Sequence, residues 1–87
     1  MTPEELRALE DVRGYARAGR IALTDHASQR MRERRITWEN LRLALASAGS
    51  CTEARGGAWS VRGVDRSGED LSVIVSFEDA VVVVTVF

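Results

Sequence analysis

The sequence predicts an α+β domain in which N-terminal helices pack on a three- to four-stranded antiparallel sheet. Three observations carry that expectation. Apolar residues recur at helical spacing as far as Gly49 and alternate with polar ones after it. The second half is divided at regular intervals by turn-forming runs, Arg55-Gly56-Gly57, Asp65-Arg66-Ser67-Gly68 and Glu78-Asp79. The chain of 87 residues, 45% hydrophobic, is long enough for one small core and too apolar for a disordered segment.

The first helix opens at Thr2-Pro3-Glu4-Glu5. Thr2 caps it, Pro3 suits the first helical position, and Glu5 completes a capping box. Leu6, Leu9, Val12 and Ala16 form its apolar face, and Gly19 is its natural stop. Ile21-Ala22-Leu23 reads as a short strand or an extended link. Thr24 or Asp25 caps a second helix that ends near Arg35. Thr37 starts a third, with Trp38, Leu41, Ala44, Leu45 and Ala48 on its buried face and Gly49 at its end. Strands follow at about 50–54, 58–64, 71–77 and 81–87. Trp59, Val61 and Gly63 alternate with Ser60 and Arg62; Leu71, Val73, Val75 and Phe77 alternate with Ser72 and Ser76. Val81 to Val84 is continuous, the pattern of a strand buried on both faces. Met31, Leu41, Leu45, Val73, Val75, Phe77, Val82 and Val84 are thus expected in one core.

Composition narrows the function. No apolar run reaches the length of a membrane span, and the N-terminus lacks the charged start and apolar block of a signal peptide, so no membrane partner and a cytoplasmic location are expected. A single Cys51 cannot form an internal disulfide, and one cysteine with one histidine cannot build a zinc site, so neither a metal nor another cofactor is expected. Cys51 reads as a small buried strand residue. The formal net charge of −1 argues against a uniformly basic nucleic-acid binder. Every basic residue is arginine, which nucleotide bias toward G and C explains. Nine arginines against seven acids fall before Ser50, and three against six from Ser50 on, so a basic face is confined to the helical half.

The segment His26-Ala27-Ser28-Gln29-Arg30-Met31-Arg32-Glu33-Arg34-Arg35-Ile36 holds the only histidine and four of the arginines. On a helix, His26, Arg30 and Arg34 fall within about 80° of one another, beside Ala27 and Met31, which must face the core. A proton-transfer group beside two fixed cations suits chemistry on a phosphate. The competing structural roles are a helix-start histidine that bonds locally, and arginines paired to sheet acids such as Glu53 or Asp70. Arg32 and Arg35 point elsewhere, into solvent. Trp59 reads as a core residue, with base stacking the alternative, and Trp38 reads as a core residue or a helix staple.

The pattern His26-Ala27-x-x-Arg30-Met31-x-x-Arg34-x-Ile36-Thr37, with an amphipathic helix, a strand-rich half and a terminal Val84-Thr85-Val86-Phe87, resembles small bacterial domains of the RelE-like (barnase–EndoU–colicin–RelE) ribonuclease superfamily. Such domains are often encoded beside a YgiT/MqsA-type zinc-finger antitoxin. The resemblance covers about Ile21 to Phe87 and leaves residues 1–20 as an N-terminal helical extension of one 87-residue domain. It implies a RelE/barnase-like fold, a metal-independent endoribonuclease toxin acting on RNA, a cognate antitoxin partner, and site residues His26, Arg30, Arg34 and Thr85. In that reading His26 is the general acid/base, the two arginines hold the phosphate, and Thr85 orients it. Arg35 departs from the pattern, standing where glycine is usual, and Phe87 stands where tyrosine is common. The alternative from another functional class is a non-catalytic protein-interaction module on a degenerate fold of the same kind.

Overall fold

Three threonines start the three helices, and the computed structural model, which describes residues 1–87, shows the same device each time. Thr2 caps α1 (Pro3–Arg17): its hydroxyl accepts from the Glu5 N–H at 3.1 Å, and its own N–H donates to Glu5 Oε1 at 2.7 Å. This is the capping box expected from the sequence. Thr24 caps α2 (Asp25–Glu33) by accepting from the Ala27 N–H at 3.0 Å. Thr37 caps α3 (Trp38–Ala46) by accepting from the Asn40 N–H at 3.1 Å. Each cap satisfies a backbone donor that the first helical turn would otherwise leave unpaired.

The strands are β1 (Ile21–Leu23), β2 (Ser50–Glu53), β3 (Trp59–Val64), β4 (Asp70–Phe77) and β5 (Val81–Val86), with a single 3₁₀ turn at Arg55–Gly57. They form one sheet in the order β1-β5-β4-β3-β2. The β2-β3-β4-β5 meander is antiparallel, as the alternation predicted. The sheet nevertheless has five strands and is mixed, which corrects the expected three or four antiparallel ones. Ile21–Leu23 pairs parallel with Val81–Val83, anchored by Val81 N–H to the Arg20 carbonyl at 3.0 Å and Thr24 N–H to the Val83 carbonyl at 3.1 Å. Three residues carry no decisive local signal, and only the remote partner makes them a strand.

One sheet face carries all three helices. Cys51, Val61, Val73 and Val86 lie in register across four strands, and Val75 faces Val83. These join Leu9, Val12, Ala27, Met31, Leu41 and Leu45 in a single buried cluster. Val82 and Val84, expected in that cluster, are only half-buried on the other face, whereas Phe77, also half-buried, packs against the cluster. The covered residues of β5 are Val81, Val83 and Val86, because the sheet is covered on one face rather than two. Trp38, also expected in the core, is exposed on the first turn of α3.

Two contacts fix α3. Gly63 of β3 lies directly beneath it: a Cβ there would stand 1.9 Å from the Ala44 carbonyl oxygen. Arg13 of α1 reaches across to the C-terminal end of α3, its Nε donating to the Ala48 carbonyl at 2.9 Å and its Nη2 donating to the same oxygen. A cation on a carbonyl just past the helix end complements the negative end of the helix dipole.

Candidate functional site

The stripe read from the sequence lies on α2, and the sheet positions that helix. The Thr24 hydroxyl donates to the Val84 carbonyl at 2.9 Å while accepting from Ala27, so one side chain both starts the helix and ties it to β5. Ala27 and Met31 are buried beneath the helix, which sets its roll. His26 is then exposed on the first turn, Arg30 half-buried one turn later, and Arg34 exposed at the C-cap. His26 makes no side-chain hydrogen bond within the protein, so the local structural role weighed for it is not seen.

Neither arginine is anchored to the sheet. Arg30 Nη1 lies 3.6 Å from Glu33 Oε1 on its own helix, a distance and exposure typical of a weak surface pair. Arg34 has no carboxylate within ion-pair distance. It lines a polar cleft of about 140 Å³ with Arg35, Asn40, Asp65, Asp70 and Phe87 among others. Asp65 is engaged there, its carboxylate accepting from the Ser67 N–H at 2.8 Å and the Glu69 N–H at 3.0 Å. Asp70 shares the cleft without bonding Arg34, and Glu53 is elsewhere on β2. Arg32 and Arg35 are exposed.

The end of α2 explains the departure at Arg35. Its φ is +55°, the left-handed conformation in which glycine is usual, and the Ile36 N–H closes back on the Met31 carbonyl at 2.9 Å. Arg35 therefore takes the glycine conformation with a Cβ attached, an arrangement that costs roughly 1 kcal/mol relative to glycine.

Thr85 lies on β5, half-buried. A register shift between Ile74 and Val75 lets Val84 bulge and pairs Thr85 with Ile74, on the sheet face away from Val73 and Val75. The structure thus joins His26, Arg30 and Arg34 on one helix and ties the start of that helix to the residue before Thr85. It turns Thr85 to the opposite sheet face. Because β1 ends at Leu23, β5 has no outer strand partner beyond this point. Thr85 and the first turn of α2 consequently share one sheet edge.

Sequence reasoning did not find a cleft of about 380 Å³ at the other end of β4, between α1 and the half-buried rings of Trp59 and Phe77. Its only sequence signal is the Glu4, Arg7 and Asp11 spacing on α1. Among titratable groups, burial pushes the Cys51 thiol up to about 11, with the Glu5 charge adding to it, so the thiol stays protonated and unreactive near neutral pH. A hydrogen bond from Arg42 holds the Glu39 carboxyl below its usual range, on α3 and away from the stripe. No trio of His, Cys, Asp or Glu side chains is placed to hold a metal. No helix is long and apolar enough to cross a membrane.

The profile of one protein family, described as a domain of unknown function, DUF4258, matches residues 23–87. The match runs from the last residue of β1 to the end of β5 and leaves out α1. No curated protein matches the chain.

Proposed function

The chain belongs to the DUF4258 family, and from that premise we propose that it is a metal-independent endoribonuclease of the RelE-like toxin type. The observation that carries the proposal is that the three polar side chains of the α2 stripe are available. His26 has no protein partner, Arg34 has none, and Arg30 has only the 3.6 Å contact with Glu33. Salt bridges that merely held the helix to the sheet would have consumed them.

The chemistry is transesterification. His26 takes the proton of a ribose 2′-hydroxyl as its oxygen bonds to the adjacent phosphorus; the P–O5′ bond breaks, and the same imidazole returns the proton to the leaving 5′-oxygen. The products are a 2′,3′-cyclic phosphate and a 5′-hydroxyl. Arg30 and Arg34, one and two turns further along α2, pair with the non-bridging oxygens and offset the charge gathered there in the transition state. Thr85, turned to the sheet face away from α2, takes no part in this step. The partners are RNA and, by the same resemblance, a cognate antitoxin in the cytoplasm.

A second reading, a non-catalytic protein-interaction module, draws support from the acids around Arg34 and the net charge of −1. Single-stranded RNA incubated with the purified protein in EDTA separates the two. The ribonuclease reading expects cyclic-phosphate ends, with His26→Ala reducing cleavage by about 10²–10⁴-fold in a protein that stays folded. A folded, non-toxic wild-type protein inert toward RNA, with His26→Ala melting well below it, would favour the module.

A further inference from the structure

We propose that the cleft between α1 and the end of the sheet is a binding subsite for a guanine base. The cleft is about 380 Å³, within the range of roughly 300–1,000 Å³ typical of small-ligand sites. Its walls are the half-buried rings of Trp59 and Phe77 together with Ala8. Its rim is Glu4, Arg7 and Asp11, three charged residues on one stripe of α1 at intervals of three and four. That spacing allows Arg7 to pair with either acid. No such pair forms, and none of the three side chains makes a hydrogen bond elsewhere in the protein, unlike the Glu39–Arg42 pair on α3. Two half-buried aromatic side chains therefore border the cleft beside one unpaired cation and two unpaired carboxylates.

The ligand follows from those groups. Aromatic walls accept the face of any nucleobase. A carboxylate accepts two parallel N–H donors, and an arginine donates to a carbonyl oxygen. Guanine alone among the RNA bases presents on one edge two adjacent N–H donors and a carbonyl acceptor. An arginine side chain of a protein partner would offer the same paired donors and would also enjoy the aromatic walls. An arginine would leave Arg7 without a partner, whereas guanine uses all the rim chemistry, its N–H donors on a carboxylate and its O6 on Arg7. The charged rim lies on α1, outside the family match, whereas Trp59 and Phe77 lie within it.

The proposal rests on the ribonuclease reading for its use, as a subsite that places one RNA base. Its test measures binding alone, so a protein that binds guanine and cuts nothing would sink only the ribonuclease reading. Trp38→Phe leaves Trp59 as the sole tryptophan reporter. Titration with GMP should quench Trp59 saturably and at least tenfold more tightly than AMP, CMP or UMP. Asp11→Asn should erase at least tenfold of that preference without changing the far-UV spectrum or the melting temperature, and Arg7→Ala should weaken GMP binding similarly. A tetranucleotide RNA containing one guanine should bind more tightly than GMP if the source is a strand, and no more tightly if it is the free nucleotide. Equal quenching by all four nucleotides, no quenching by GMP, or saturable quenching by Nα-acetyl-arginine amide in place of GMP would each overturn the assignment.

Discussion

Adding one methyl group at Gly63 should damage this fold about as much as truncating a buried core valine. A Cβ at that position lies 1.9 Å from the Ala44 carbonyl oxygen, 2.6 Å from its carbon and 3.1 Å from its Cα. All three are backbone atoms of α3, so no rotamer change relieves the clash. Bringing the oxygen to an ordinary contact of about 3.4 Å requires α3 to move by about 1.5 Å, the difference between 3.4 and 1.9. The helix cannot move alone, because Leu41, Ala44 and Leu45 are fully packed beneath it and Arg13 holds its end. Overpacking of this kind costs about 1–3 kcal/mol, and displacement of a whole helix belongs at the upper end. At about 4–8 °C per kcal/mol for a domain of this size, Gly63→Ala should lower the melting temperature by about 10–20 °C in far-UV circular dichroism. Gly14→Ala is the matched control: Gly14 is exposed inside α1 with nothing within 4 Å of an added Cβ. It should raise stability by about 0.5–1 kcal/mol through helix propensity. A Gly63→Ala protein melting within about 2 °C of the wild type would refute the reasoning, since α3 would then not rest on that glycine.

Arg35→Gly should stabilise the protein by about 0.5–1 kcal/mol in urea unfolding, since it removes a Cβ from a left-handed position; a loss of stability would show that the Arg35 side chain offsets its backbone cost. Val83→Ala should cost about 2–3 kcal/mol and Val82→Ala less than about 1, because only the first is fully buried; equal costs in paired melts would contradict the one-covered-face assignment. The raised Cys51 pKa sets a pH dependence. Above the thiol's ordinary value near 9 the unfolded chain loses a proton that the folded chain retains up to about 11. Stability should therefore fall as pH rises through that window, by at most about 1.4 kcal/mol per pH unit, and Cys51→Ala should flatten the slope in urea titrations from pH 8 to 11. Arg30→Ala and Arg34→Ala should each lower RNA cleavage by about 2–3 kcal/mol of transition-state stabilisation and leave the melting temperature within about 2 °C; a collapse of folding in either would recast it as a structural residue.

What could be read from the sequence was what neighbours in the chain decide. Thr2, Thr24 and Thr37 announce their helices because a cap acts across three residues, and the β3 and β4 alternation survives because each strand sees its partner through a short turn. Long-range decisions were not legible. The partner of Ile21–Leu23 lies 60 residues away, at Val81–Val83. A run of valines does not declare which members face the core, and the bulge at Val84 shifts the phase again. Trp38 is apolar enough for a core and yet sits on the outer side of a helix start. At the candidate site, the common helix of His26, Arg30 and Arg34 was legible from spacing, whereas the sheet face of Thr85 depended on that bulge. The α1 cleft joins Glu4 to Phe77 across the chain, and no local pattern marks it.

The position of β5 has a consequence for how the chain is made. It comes after every other element, yet in the sheet it lies between β1 and β4. While the protein is being synthesised, β2, β3 and β4 can pair as soon as they emerge, with α1 and α3 collapsing onto them. β1 and α2 must wait, because β1 has no other strand partner and α2 rests chiefly on β5. Contacts of such sequence separation carry a large loop-closure cost and slow folding. The stripe of His26, Arg30 and Arg34 is consequently anchored only when the last strand arrives.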